Sequence, residues 1–135
     1  MASYDTSYDP PAPVALVALR DLKGGPLVRD VHLLLDTGAD ITLLPRTAVE
    51  HVGVRPLGGQ DYQLIASDGT ASTAQAVELE MIFLKKAFRG RYLLIDEDCG
   101  VLGRDVLASV VLLLHGPRRE WSEQVDDSGQ RSKPR

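Results

Sequence analysis

The stretch HLLLDTGADITLLP, His32 to Pro45, decides how the chain is read, because it sets a charge where a buried strand should run. Three leucines lead into Asp36, Thr37 and Gly38 follow, and the sequence turns apolar again from Ile41. An ionised carboxylate in apolar surroundings costs on the order of several kcal/mol of desolvation unless donors surround it. Thr37 offers a hydroxyl, Gly38 lets the backbone turn sharply and lets a ligand's main chain approach, and the amides of the turn can point at the carboxylate. Taken alone, DTG also fits an Asx-type turn that ends a strand, with Asp36 capping its own backbone.

Outward from that stretch the pattern is one of short strands separated by turn signals. VALVALR and VRDVHLLLD flank DLKGGPL, whose Gly24, Gly25 and Pro26 suit a hairpin connection. Val77 to Phe83, VELEMIF, alternates apolar and acidic residues, which predicts a half-buried strand with Glu78 and Glu80 facing outward. RYLLID reads as a further strand, ended by the acidic turn EDCG. Two short helices are expected. In PRTAVEHVG, Pro45 suits a first helical position, Ala48, Val49 and Val52 share one side, and Gly53 stops the helix. GRDVLASV is the second, passing into VVLLL and then HGP and RREWS, which suit a closing hairpin. The sum is a mainly β domain.

Bulk properties narrow the function. A chain of 135 residues, 44% of them apolar, suits one compact domain with a real core. The ends differ from the middle: residues 1–13 are small, polar and proline-bearing, and DDSGQRSKPR at 126–135 has no apolar residue. Both are expected to be flexible tails around a folded part at Val14 to Val125. A formal charge of −4 gives no general attraction to nucleic acid or to an anionic membrane. Cys99, the sole cysteine, excludes an intrachain disulfide framework and a multi-thiolate metal site. The N-terminus lacks the pattern of a secretory signal, and the longest apolar run is short of the roughly 20 residues that span a bilayer. A soluble, cytoplasmic protein is the expectation, and no repeat of the solenoid kind is present.

A second block changes the weight of DTG. Gly100 to Leu107, GVLGRDVL, sets two aliphatics, a glycine and an Arg-Asp pair ahead of helical patterning. Together LLLDTGADITLLP and VLGRDVL resemble the retropepsin-like aspartic proteases, a single-domain homodimeric family with retroviral, cellular and bacterial members. The resemblance covers most of Val14 to Leu114 in element order and implies a closed, barrel-like acid protease fold. It implies that Asp36 is the catalytic aspartate, that the Thr37 hydroxyl bonds across a dimer to brace both active-site loops, and that the Gly38 carbonyl receives substrate backbone. Ala39 and Asp40 would line the cleft. Leu102 and Gly103 match the aliphatic-glycine corner under the catalytic loop, and Arg104 with Asp40 matches an ion pair that ties the helix to that loop. An exposed salt bridge of this kind contributes only about 0–1 kcal/mol.

The family also closes a β-hairpin flap over substrate. DYQLIASDGTASTAQ is the matching segment, its DG favouring a tight type I′ turn and its small residues a slim tip near Ala66 to Thr70. On that reading Ile65, Ala66, Ser67, Asp68 and Gly69 approach substrate. Retroviral members carry several glycines at the tip, whereas Ser67 and Asp68 stand here. An ordinary surface hairpin is the alternative.

One DTG per chain supplies half of the chemistry. Peptide hydrolysis of this type uses two carboxylates, one taking a proton from water while the other, protonated, polarises the scissile carbonyl. The second must come from another copy through a two-fold axis, Asp36 opposite Asp36. Like charges about 3 Å apart cannot both ionise, so such a pair shares one proton, and the implied activity peaks from acidic to near-neutral pH. No metal, no other cofactor and no covalent intermediate are needed. Substrate is expected to bind as an extended polypeptide, strand-like, with apolar side chains beside the cleaved bond.

Other residues read blandly. His32, His51 and His115 lack ligand spacing, and Cys99 sits in a turn with no partner motif. KKAFRGR, Lys85 to Arg91, fits a solvated hairpin end better than a nucleic-acid patch, and Trp121 suits the core or a dimer seam. A phosphoryl-transfer enzyme with Asp36 as nucleophile lacks the Mg²⁺ ligands, the lysine and the strand-helix alternation it needs. A retropepsin-like dimer kept as a binding or scaffolding module, with weak or regulated proteolysis, is the other alternative, since fold does not fix function. Retroviral chains end close after the helix; this one continues through LLLHGPRREWSEQV, leaving the terminal strand order of the dimer open.

Overall fold

The computed structural model describes residues 1–59 and 61–125. In chain order the elements are β1 (Ala2–Ser3), β2 (Val14–Asp21), β3 (Gly24–Leu35), β4 (Leu43–Pro45), α1 (Arg46–Val52), β5 (Tyr62–Ile65) and β6 (Ala71–Ala74). They continue as β7 (Ala76–Phe83), β8 (Lys86–Ile95), β9 (Gly100–Leu102), α2 (Arg104–Leu107), β10 (Leu112–His115) and β11 (Glu120–Glu123). A closed barrel runs β2-β3-β9-β4-β8-β7, a small sheet runs β1-β11-β10, and β5-β6 forms a separate hairpin. The mainly β expectation and the two short helices therefore hold.

Side-chain alternation explains why the barrel closes around these residues. Along β2, Val14, Ala15, Val17 and Leu19 are buried while Leu16 is 57% exposed, the period-two signature of a strand with one face on a core. Ala15, Val17, Leu33, Leu79, Met81, Phe88, Tyr92 and Leu102 meet in one cluster, with Val49 of α1 and Val106 of α2 plugging it. Trp121 joins that cluster and donates its indole N–H to Val14 O at 3.3 Å, so it serves the core. At the β7–β8 turn, Leu84 and Lys85 both have positive φ, 53° and 63°, which is the backbone a two-residue type I′ hairpin demands even without glycine.

Four local expectations change in the folded chain. Glu80 does not face outward: it is 8% exposed, accepts from Arg20 Nε at 3.0 Å and sits 3.8 Å from Arg89 Nε. Closure of the barrel puts β2 beside β7, and Arg20↔Glu80 are register partners, so the charge is buried with its counter-ion. The second helix is a single turn, Arg104–Leu107, and Ala108 to Val110 have left it. Pro45 is the N-cap residue of α1, one position earlier than expected, while Gly53 ends it at φ 88°. The N-terminal segment is packed down, not loose. Ala2 and Ser3 pair with Trp121 and Glu120, Tyr4 N–H donates to Arg119 O at 2.7 Å, and Asp5 bridges Ala12. The tail expected at 126–135 lies outside the described residues.

KKAFRGR does become a hairpin end, and among the described residues three of its four cations are paired. Lys86 meets Glu123, Arg89 meets Glu80, and Arg91 donates to Glu78 at 3.0 Å. Among the described residues no helix is long and apolar enough to cross a membrane.

Candidate active site

The DTG turn springs from the point where β3 ends. Leu35 N–H donates to Pro13 O at 3.0 Å and Asp36 N–H to Leu102 O at 3.1 Å, so the strand is held on both sides up to the aspartate. Asp36 Oδ1 then accepts the Gly38 N–H at 2.9 Å, and Ala39 N–H closes the turn on Asp36 O at 3.2 Å. Asp36 is half-buried, with Thr37 and Gly38 exposed beside it. A Cβ on Gly38 would sit 3.1 Å from Asp36 Oδ1, so glycine leaves the carboxylate its room. The Asx-type turn and the DTG loop are thus one structure. Its own amide supplies a donor to the charge.

Beneath that turn lies a buttress from the second motif. Leu102 is fully buried, and Gly103 lies so close to the loop that a Cβ would come within 2.8 Å of the Ile41 carbonyl carbon and oxygen and 3.0 Å of Ala39 O. Only a glycine lets the two backbones pack at that distance. Arg104 N–H donates to Ala39 O at 2.8 Å, and its guanidinium donates to Thr37 O at 2.5 Å. Among the described residues no Asp40–Arg104 ion pair forms; Arg104 grips the loop through its backbone carbonyls. The side-chain link comes from elsewhere. Thr42, wholly buried, donates its N–H and hydroxyl to Asp105 at 3.0 and 2.7 Å and accepts the Gly103 N–H at 3.0 Å.

Above the turn, β5 and β6 form a hairpin in register Tyr62↔Ala74 to Ile65↔Ala71. Its tip is a type I turn followed by Gly69 at φ 88°, with Gly69 N–H donating to Ala66 O and Ala66 N–H to Thr70 O, both at 2.9 Å. A type I′ turn does not form, because Ser67 and Asp68 keep negative φ and only Gly69 takes the left-handed region. Asp68 Oδ1 accepts the Thr70 N–H at 2.9 Å. Bonds from the Thr70 hydroxyl and amide hold the Asp68 carboxyl below the usual carboxylate range. At the hairpin's base the Tyr62 hydroxyl accepts from Arg91 at 2.8 Å, tying it to β8.

A cleft of about 760 Å³ separates hairpin from turn. Gly38, Ala39 and Asp40 wall one side, and Ile65 and Ala66 the other. Ile65 is 72% exposed, a large apolar side chain presented to whatever enters. Ser67, Asp68 and Gly69 stand at the tip and do not line this cleft within one chain. Thr42, Asp105, Tyr62, Leu64 and Leu93 join the site without having been read from sequence. Thr42 and Asp105 carried a usable signal: each lies within a quoted motif, Thr42 as a polar side chain between Ile41 and Leu43 and Asp105 as an acid at the start of helical patterning. Away from the cleft, a hydrogen bond with the Cys99 sulfur pushes the Tyr8 hydroxyl up to about 12, so Cys99 is occupied in packing the N-terminal segment.

An aspartyl protease family model matches residues 11–106. Among solved structures, the EIAV protease complexed with the inhibitor HBY-793 is similar in fold, with a TM-score of 0.53 and 24% identity over 72% of this chain and 86% of that one. No curated protein matches the sequence.

Proposed function

Because the chain belongs to the aspartyl protease family, we propose that it is a peptide hydrolase assembled from two copies, with the two Asp36 carboxylates facing each other across a two-fold axis. One carboxylate takes a proton from water as the oxygen attacks the scissile carbonyl carbon. The other, protonated, donates to the carbonyl oxygen and carries the charge that develops there. Collapse of the tetrahedral diol breaks the C–N bond, and the amine leaves with the proton first taken from water. No covalent enzyme intermediate forms.

The remaining residues take positioning roles on this reading. Thr37, exposed at the turn, reaches the partner's loop. The Gly38 carbonyl receives a substrate N–H, while Ala39 and Asp40 wall the cleft. The β5–β6 hairpin closes from above, Ile65 and Ala66 supplying apolar contact and Ser67 to Gly69 reaching toward the two-fold axis. Leu102, Gly103 and Arg104 hold the loop from below. An extended polypeptide pairing its amides along the cleft is the substrate that fits this shape.

The observation that carries the proposal is the Asp36–Gly38 turn pinned to the Gly103–Asp105 segment and opening into a cleft walled on its other side by the β5–β6 hairpin. Its test is incubation with unfolded polypeptide from about pH 4 to about pH 7, the window in which a shared proton persists, beside Asp36→Asn and a statine-type inhibitor. Cleavage by the wild type alone, blocked by the inhibitor, is expected. Cleavage by neither form from a dimeric protein rejects it in favour of a binding module.

A further inference from the structure

We infer that Arg91 is a positioning residue for the cleft: its guanidinium, aimed by Glu78, fixes through the Tyr62 hydroxyl where strand β5 stands opposite the Asp36 turn. This rests on the reading of the cleft as the seat of a polypeptide substrate.

The inference begins with how unevenly the hairpin's two strands are used. Tyr62, Gln63, Leu64 and Ile65, the whole of β5, line the cleft, whereas β6 contributes Ser72 alone. Neither strand pairs with the barrel, so side chains and the hairpin's two roots decide where it sits. The root of β6 is held twice at Gln75: its carbonyl accepts the Leu94 N–H at 3.0 Å, and its Oε1 accepts from Arg46 at 2.8 Å. The root of β5 is held once. Among the described residues, the bond from Arg91 to the Tyr62 hydroxyl is the one hydrogen bond between β5 and the barrel.

A position is fixed by directional contact. Tyr62 and Leu64 also rest on the cluster that holds Ala76 and Leu93, but apolar contact has no preferred direction and lets one surface slide over another. A guanidinium, by contrast, is a rigid planar fork. One arm, Nη2, donates to Glu78 Oε1 at 3.0 Å, and Glu78 is the register partner of Arg91 across β7 and β8. The barrel's own ladder therefore sets the aim of the fork. The other arm, Nη1, donates to the Tyr62 hydroxyl at 2.8 Å.

Arg91 and Glu78 are 51% and 44% exposed, so the tie contributes little to the fold as a whole. Its effect falls on the hairpin. Tyr62 borders both the cleft and a groove of about 490 Å³ shared with Leu57, Gly59 and Arg91, so a ring released from Arg91 has room to shift away from the cleft. A β5 that spends less time in its seated position weakens apparent substrate binding by that fraction. The chemistry at Asp36 in the seated complex is unchanged.

The test compares Tyr62→Phe, Arg91→Met and the double variant with the wild type. Each single variant should raise KM for an unfolded polypeptide about 3- to 10-fold, the range one hydrogen bond supplies, with kcat within about 2-fold. The double variant should be no worse than either single one, because both remove the same bond. Arg91→Lys, charged but without the fork, should recover less than about half of the loss. In the protein without substrate, amide hydrogen exchange should quicken at residues 62–74 and not in the barrel, at an unchanged denaturant midpoint. If the variants cleave with wild-type KM and exchange at 62–74 does not move, the tie is wrong while the protease reading survives. If exchange quickens equally in both single variants but no form, wild type included, cleaves peptide, the tie stands and the protease reading falls. A lower midpoint, with exchange rising in the barrel as much as in the hairpin, makes the bond a general structural one and overturns the inference.

Discussion

The Asp105 carboxylate accepts both the hydroxyl and the backbone N–H of Thr42, at 2.7 and 3.0 Å, and the same hydroxyl accepts the N–H of Gly103. One buried side chain therefore joins the segment that carries the DTG turn to the segment that begins α2. It faces no substrate. Its role is to fix where the turn stands.

Replacing Thr42 by Val keeps the shape and removes the hydroxyl, leaving the Gly103 N–H and one Asp105 oxygen without a partner. A buried group left so costs about 1–3 kcal/mol. Denaturant unfolding followed by the lone tryptophan, Trp121, should show a lower midpoint at unchanged slope. Thr42→Ser, which keeps the hydroxyl, should lose less. Equal losses would mean that the methyl group, not the hydrogen bonds, is what matters.

Gly103→Ala should be costly for a different reason. The new methyl meets the Ile41 and Ala39 carbonyls within 3.0 Å, and these are backbone atoms that cannot rotate aside. Overpacking of this kind costs about 1–3 kcal/mol. Gly58→Ala, with nothing within 4 Å and ordinary φ, is the control and should stay within about 0.5 kcal/mol of wild type. Thermal unfolding of the two variants side by side separates them.

The hairpin tip should respond to acid at Asp68. Thr70 donates to the charged form and so holds the folded carboxyl below the usual carboxylate range. The tip's added order is therefore complete above about pH 4 and is lost as pH falls through the depressed folded value. NMR titration of Asp68 should give a midpoint below that of unstructured aspartates, and Thr70 amide exchange should quicken only past it. Asp68→Ala should remove the pH step. A midpoint at or above the ordinary value would refute the bond to Thr70.

Legibility in the sequence followed the range of the interaction. Strand alternation in VALVALR, the glycine stop at Gly53 and the DTG turn are decided within a few residues, so they could be read directly. The hairpin at 62–74 was legible as a hairpin, but its turn type was not, because Gly69 follows two residues that both keep negative φ. Glu80 was misjudged since its counter-ion Arg20 stands 60 residues away and meets it only when β2 closes on β7. Residues 1–13 read as a tail because nothing local marks Ala2 and Ser3 as a strand; the ladder they complete is built by Glu120 and Trp121.

The local pattern of side chains determined that this chain is mainly β, that it bears an acidic turn flanked by apolar strands, and that a glycine corner follows far downstream. Tertiary structure decided which groups meet: that Thr42 binds Asp105, that Arg104 grips Thr37 O and not Asp40, and that β11 lies between β1 and β10. The physical reason is that alternation and turn chemistry act between neighbours in the chain, whereas hydrogen-bond partners and open edges are settled by barrel closure, which brings distant segments into one register.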